Sequence, residues 1–409
     1  MKKLAVYLKF SPDKRRLVGT LAQTGQKVVF EYAPSFLDNP LWLSPYKLPP
    51  EARFHEHIDL DFGPVFGLFD DSLPDGWGLL LMDRYFRKTG IDPQRVSVLD
   101  RLSFIGDNGM GALVYEPAMM FEPANGQLLR LHELARHARN ILSGDTRDVL
   151  PQLMRAGGSP GGARPKILIG LKENRLISGE TDLPPGFTHW IVKFNSGNDF
   201  PDAGPVEYAY SLMARAAGID MTETRLFETS QSERFFGITR FDREENKRLH
   251  MHTFGNLIHS NFRIPSVDYA DLFKITRNLT RNHKDVIRVF YRMVFNVLAH
   301  NRDDHVKNFA FMLADQGDWH LTPAYDLTFS HGPGGQHSMT LAGEGENPGR
   351  KEMVMLGQQA GLSAAEIGAC LDQSAAAVEK WPEFARKAGV TSQSMKTIQA
   401  ALAARLVKQ

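Results

Sequence analysis

The sequence holds one cysteine, Cys370, in 409 residues. A disulfide within one chain needs two, so no disulfide framework is available. A cysteine-built zinc site is not expected either. Charge of one sign is also lacking. Lys plus Arg is 48 and Asp plus Glu is 47, a net charge of +1. Such a chain has no global field to draw it onto nucleic acid or an anionic membrane, although local patches stay open to it. No apolar run approaches the roughly 18 residues of a candidate membrane span. The opening Met1-Lys2-Lys3-Leu4-Ala5-Val6-Tyr7-Leu8 starts like a secretory signal, but Lys9 cuts the apolar run short. Asp13-Lys14-Arg15-Arg16 then stand where a cleavage site belongs. An opening β-strand and a cytoplasmic location are the expectation. There is no internal repeat.

What is present is a folded chain of ordinary bulk. Hydrophobic residues are 42% and charged residues 23%, which excludes wholesale disorder. At about 150 residues per domain, the length predicts two or three domains. Residues 4–10 and 27–32 are strand-like, with a turn signal at Thr24-Gly25. Pro34, Pro40, Pro45, Pro49 and Pro50 mark an irregular segment. Residues 79–88 read as a helix ended by Gly90, and 112–115 as a strand. Residues 117–127 read as a linker, and 147–155 as a helix. Strands are expected at 167–171, 189–194 and 234–241, with a helix opened by Pro205 and closed by Gly218.

The last third is mostly helical. Val286, Val289, Phe290, Met293, Val294, Val297 and Leu298 recur at helical spacing and define one apolar face. Strands 309–313 and 319–324 bracket a turn at 315–318. Ser363 and Glu366 form a capping box, and residues 400–407 close the chain as an Ala-rich helix. The fold class is α+β. The expected division is 1–125 (strand-rich N-terminal subdomain), 126–242 (a small lobe with a Gly-rich loop) and 243–409 (a helical lobe).

The chemistry concentrates in His300-Asn301-Arg302-Asp303-Asp304-His305-Val306-Lys307-Asn308, followed by Tyr325-Asp326. Asp303 and Asn308 sit between a buried helix and a strand, and Asp326 ends the hairpin that follows. Phosphoryl transfer needs this set. One carboxylate takes or orients the proton of the attacking hydroxyl, while an amide oxygen and a second carboxylate hold Mg²⁺. Asp-x4-Asn, a hairpin, then Asp repeats the layout of the protein-kinase catalytic loop and metal-binding Asp. Alone, it also fits a polar loop whose Asp and Asn cap turns.

Upstream residues bear on that choice. Lys193 lies in an apolar strand among Trp190, Ile191, Val192 and Phe194. It is either a snorkelling edge lysine or one presented to phosphates. Glu207, early in the next helix, is a possible partner for it or a charge favoured near a helix N-terminus. Gly157-Gly158-Ser159-Pro160-Gly161-Gly162-Ala163-Arg164-Pro165-Lys166 offers backbone N–H groups and a lysine to phosphates. It is not a Walker A loop, because Ile167 follows Lys166 and a strand follows the loop. The order is glycine loop, strand lysine, helix glutamate, linking strand, Asp-x4-Asn, Asp. That is the kinase order. Thr239, Arg240 and Phe241 fall where a kinase chain crosses between lobes beside the adenine.

Residues 159–166, the strand ending in Lys193, and 303–308 with Tyr325-Asp326 together resemble the HipA family of bacterial serine/threonine kinase toxins. Phe69-Asp70-Asp71-Ser72-Leu73-Pro74-Asp75 resembles that family's N-terminal subdomain. The resemblance runs from about residue 4 to about residue 380. It implies a bilobed kinase-like fold using ATP and Mg²⁺. It implies Asp303 as catalytic base and Asn308 and Asp326 as metal ligands. The implied ATP-binding residues are Gly161, Gly162, Ala163, Arg164, Lys166, Lys193, Thr239, Arg240, Phe241, His305, Lys307 and Tyr325. Ser159 matches the family's autophosphorylated serine, although Pro160 follows it and the loop departs from the commoner Gln-Glu-Lys ending. The implied substrate is a translation component such as an aminoacyl-tRNA synthetase. The implied partner is a helix-turn-helix antitoxin, through which DNA would be met mainly indirectly. Two rivals stay open: a small-molecule kinase on the same fold, and a catalytically silent corepressor. His250, His252 and His259 rank lower as a metal cluster, and the chain is not read as a Ser–His–Asp hydrolase.

Overall fold

The computed structural model describes residues 1–119, 128–144, 153, 161–179, 182–196 and 200–406. All but residue 153 of the expected helix at 147–155, most of the expected linker, and Ser159 lie outside them. The architecture is a bilobed, kinase-like α+β fold preceded by a strand-rich subdomain.

The first sheet contains β1 (Lys2–Ser11), β2 (Lys14–Thr24), β3 (Lys27–Tyr32), β4 (Phe54–Glu56) and β5 (Leu113–Glu116), ordered β4-β3-β2-β1-β5. Side chains alternate across a strand, so Leu4, Val6 and Leu8 of β1 and Val28, Phe30 and Tyr32 of β3 face the core. β2 escapes the sequence pattern because it opens on Lys14-Arg15-Arg16. Hairpin pairing with β1 supplies what periodicity does not, from Lys2↔Gln23 to Ser11↔Lys14.

The second sheet contains β6 (Lys166–Lys172), β7 (Arg175–Ser178), β8 (Thr188–Lys193), β9 (Thr224–Glu228) and β10 (Arg234–Thr239), ordered β7-β6-β8-β10-β9. β6 is buried from Lys166 to Leu171, as a strand covered on both faces must be. Part of that cover is the helix Gly76–Lys88, whose Trp77, Leu81 and Phe86 share one apolar cluster with Ile167, Ile169 and Trp190. The helix Ala203–Ala216 packs on β10 so closely that a Cβ on Gly204 would run into the Arg234 carbonyl. That approach sets the depth of Glu207, one turn further on.

A hairpin, β11 (Arg243–Glu244) and β12 (Lys247–Arg248), leads into the helical lobe. Its small sheet is β13 (His250–Thr253), β14 (Ala310–Leu313) and β15 (Trp319–Leu321), in that order. The helix His283–Leu298 runs through the lobe's core, with every residue of its expected apolar face buried. Each such side chain contributes roughly 1.5–3 kcal/mol by leaving water. Asn282 caps its start by accepting from the Lys284 N–H at 3.1 Å. After Ala299 the chain turns through His300 in the left-handed region, φ 51°, and enters the polar loop. Ser363 and Glu366 form their capping box as expected. No helix among the described residues is long and apolar enough to cross a membrane.

Candidate active site

Sheet register brings two lysines together. Lys166 of β6 stands opposite Lys193 of β8, and both are buried. Like charges directly opposed across strands destabilise a sheet unless something offsets them. Here carboxylates do. The Lys193 ammonium donates to Glu207 at 2.5 Å and to Asp326. Burial works against its charge, but Asp326 and Glu207 hold its pKa above the ordinary lysine value. Lys166 is treated differently. Burial lowers its pKa, Lys193 and Arg164 add to the shift, and Asp326 and Asp75 offset only part of it. Its ammonium donates to the Gly161 carbonyl. Arg164 reaches the other oxygen of Glu207 at 2.6 Å, so that carboxylate serves two cations.

Asp326 occupies the left-handed region at φ 54°, where a non-glycine residue is strained by about 1–3 kcal/mol. Burial raises its pKa, but Lys193, Lys166 and His305 outweigh that and hold the carboxyl well below the usual carboxylate range. It is therefore ionised. Its neighbour Tyr325 donates to the Lys307 carbonyl at 2.8 Å and stacks on Phe241 with centroids 5.6 Å apart. These contacts lock the end of the hairpin to the 303–308 loop and to the crossing between lobes.

Asp303 has the opposite electrostatics. Its carboxyl opens to solvent on one side and is crowded by protein on the others. That desolvation raises its pKa, with help from Asp326 and Asp304, against His305 and Lys193. The Asn308 amide N–H donates to the Asp303 carbonyl at 2.6 Å, tying the two ends of the loop. Asp304 serves the scaffold. Buried, it accepts from the Tyr269 hydroxyl at 2.7 Å and the Ser338 N–H at 2.8 Å, and pairs with His337 at 2.8 Å. His305 positions the loop by accepting from the Lys307 N–H at 3.2 Å.

Other sequence candidates are placed differently. Lys307 turns its ammonium away to the N-terminal subdomain, 3.0 Å from Asp70. The Arg240 guanidinium is committed to Asp242, at 2.7 and 2.9 Å, and to the Gly109 carbonyl. Thr239 uses its backbone to cross the lobes, its N–H on Glu223 and its carbonyl on the Thr222 hydroxyl. Gly161, Gly162 and Ala163 lie beside Lys166, within reach of Asp75. His250, His252 and His259 turn to protein partners: Leu43, Asp71 with Ser44, and Asp59 with Gly67 respectively. Among the described residues no group of His, Cys, Asp and Glu forms a metal cluster. The letters Gly-x-Ser-x-Gly do occur at 157–161. A nucleophile elbow leads into a helix, whereas the chain here leads into β6, so no hydrolase follows from them.

Sequence reasoning did not place Asp70, Asp75 and Trp77 at the site. The one signal was three aspartates within six residues, ahead of Gly76-Trp77.

Comparison with known proteins agrees along the chain. Residues 12–116 match the HipA N-terminal domain and residues 158–409 the HipA-like C-terminal domain. A Haemophilus influenzae protein named "Putative kinase" is 27% identical over 185 residues, covering 42% of this chain and 52% of that protein. A Sinorhizobium fredii protein named "Putative kinase Y4mE" is 27% identical over 232 residues, covering 53% of this chain and 48% of that one. The chain thus spans about half the length of these curated relatives. The solved Shewanella oneidensis HipA, in a complex with HipB and operator DNA, superposes with a TM-score of 0.71 at 17% identity. That match covers 98% of this chain and 95% of that one, and at this identity it establishes the fold. Since the HipA-like C-terminal domain alone takes up more than half the chain and the HipA N-terminal domain precedes it in order, this protein belongs to the HipA family.

Proposed function

We propose that the chain is an ATP- and Mg²⁺-dependent serine/threonine protein kinase, the toxin of a toxin–antitoxin pair. The observation that carries this reading is the opposed Lys166–Lys193 pair, with Lys193 paired to Asp326, beside a carboxyl, Asp303, whose pKa is raised. Two cations held side by side at one end of paired central strands match a polyphosphate, and a raised carboxyl matches a general base.

In this mechanism Lys193 and the 161–166 loop hold the ATP phosphates, with Glu207 orienting Lys193. The donor set suits Mg²⁺, which takes hard oxygen ligands. Asp326 is an ionised carboxylate, and Asn308 spends its amide nitrogen on Asp303, leaving Oδ1 for a cation. Bound there, the metal would neutralise charge on the phosphates. Asp303 takes the proton of a serine or threonine hydroxyl as its oxygen attacks the γ-phosphorus. The bond to ADP breaks, leaving ADP and a phosphate ester.

The finer assignments belong to the same reading. Ser159 is the autophosphorylation site, and a dianionic phosphate there would repel ATP. The substrate is a translation component such as an aminoacyl-tRNA synthetase. The partner is a helix-turn-helix antitoxin, through which DNA is met. The location is cytoplasmic, and the units are 1–125, 126–242 and 243–409.

The test is label transfer from γ-labelled ATP with Mg²⁺, alone and with cell extract. Label on protein serine or threonine, including Ser159, is expected. No transfer under either condition would sink the reading. A pH profile adds a second check. Asp303 must be ionised to act, and its pKa is raised, so activity falls on acidification above the ordinary aspartate range. Lys166, with a lowered pKa, loses its charge below the ordinary lysine range, giving an alkaline limb there. A kcat/KM that stays flat down to about pH 4, the ordinary aspartate value, would contradict the base assignment.

A further inference from the structure

The N-terminal segment with three aspartates has no part in the mechanism so far, yet it touches both nucleotide-facing loops. We propose that residues 70–77 form a strap that positions the glycine-rich loop, with Asp75 and Trp77 as its positioning residues. What that loop binds rests on the kinase reading; the strap itself does not.

Three hydrogen bonds define the grip. The Asp75 carboxylate accepts from the Gly162 N–H. The Trp77 backbone N–H donates to the Gly162 carbonyl at 3.2 Å. The Trp77 indole N–H donates to the Lys166 carbonyl at 3.2 Å. One peptide unit on each side of Gly162 is thereby held, and the residue that begins β6 is held with it. Between the two positioning residues, Gly76 sits at φ 42°, and a Cβ there would collide with the Gly162 carbonyl and the Ala163 Cα. Only glycine allows the two backbones to meet so closely. The grip has a firm base, because Trp77 is buried in the cluster of Leu81, Phe86 and Ile167.

The other end of the strap is anchored in the helical lobe. Asp71 is buried and accepts from the Thr253 N–H at 2.9 Å, the Thr253 hydroxyl at 2.7 Å, and Asn256 at 2.8 Å. Asp70 accepts from Asn256 and from Lys307 of the catalytic loop, each at 3.0 Å. Eight consecutive residues therefore tie the small-lobe loop and the large-lobe loop to one segment. A loop rich in glycine loses much freedom when it wraps phosphates, and a strap that orders it beforehand removes that cost from binding. Asp75 occupies the Gly162 N–H, so phosphates would be met by other groups of the loop. The rival reading makes Asp75 a blocking anion that ATP must displace. The two predict opposite signs.

The experiment uses the full chain with Asp75→Ala, Asp75→Asn and Trp77→Phe. Hydrogen exchange of the 161–166 peptide is measured without nucleotide, and the Kd for ATP by direct titration. Losing one charge-assisted hydrogen bond is expected to speed exchange and to weaken ATP by about tenfold in Asp75→Ala. Asp75→Asn keeps an acceptor and restores most of both. Trp77→Phe keeps the ring packing and lies between. The kcat at saturating ATP stays close to wild type, a split that general unfolding would not produce. Unchanged exchange in Asp75→Ala overturns the strap, and so does tighter ATP binding. A wild-type chain that binds no ATP overturns the kinase reading instead, and exchange alone then decides the strap.

Discussion

Asp303→Asn is expected to lower phosphoryl transfer by about 10²–10⁴-fold, the usual contribution of a positioned general base. The substitution is nearly isosteric and removes only the carboxylate's ability to take a proton. Asp303 is exposed at the mouth of the loop, and its structural bond, from Asn308, is made by its backbone carbonyl. The fold and the loop should therefore survive. Lys193, Lys166 and Asp326 are untouched, so the Kd for ATP should stay within about twofold, a change under 0.5 kcal/mol. Rate of label transfer and direct ATP titration separate the two effects. A variant that transfers label at near wild-type rate would remove Asp303 as base and leave the kinase reading standing. A variant that loses ATP binding as well would show that the carboxyl organises the site rather than acting in the chemical step.

The largest stability effect is expected at Asp242, beside the crossing between lobes. This carboxylate is fully buried and shared between two buried guanidinium groups, Arg240 at 2.7 Å and Arg243 at 2.6 Å. It also accepts from the Gly111 N–H at 2.7 Å. Arg240 and Arg243 in turn reach the Gly109 carbonyl, so the cluster joins the first subdomain to the crossing between lobes. Burial penalises the charge on Asp242, but the two arginines hold its pKa well below the usual carboxylate range. Its stabilisation is thus fully present above the ordinary aspartate value and is lost only as pH falls through the depressed one. Asp242→Ala would leave two buried cations without their counter-ion. Breaking a buried pair in this way costs roughly 3–5 kcal/mol. Domains of this kind hold roughly 5–15 kcal/mol in total, so a large fall in melting temperature, or loss of soluble protein, is the expected result. Asp242→Asn keeps acceptors for both arginines and should lose less. Urea and thermal melts check this. An Asp242→Ala chain that melts with wild type would show that the cluster carries no net stability.

How much of this was legible beforehand differs from element to element. The strand 27–32 and the core helix with its seven-residue apolar face read directly from spacing, because side-chain alternation and helical period are local properties. The catalytic loop reads from spacing too, since Asp303, Asn308 and Asp326 sit at fixed intervals around a predictable hairpin. The charged strand Lys14–Thr24 did not, because its pattern is set by pairing with β1. Arg240 is an adenine-contact candidate from its place in the chain, and the direction of its guanidinium, to Asp242 two residues on, is not legible there. A side chain's direction after a strand ends depends on which partner it meets.

The amino-acid sequence by itself determined the order of parts: glycine loop, strand lysine, helix glutamate, the 303–308 loop, and Asp326 after the hairpin. It also determined the elements that carry them, because each follows from periodicity over a few residues. Only the tertiary structure decided that Lys166 and Lys193 stand opposite each other, that Lys193 pairs with Asp326, and that an N-terminal strap grips the loop. Asp75 and Gly162 are 87 residues apart, and Lys193 and Asp326 are 133 apart. No local period connects positions so distant. Their meeting is set by sheet register, by the burial of the helix Gly76–Lys88 against β6, and by charges that must find partners once buried.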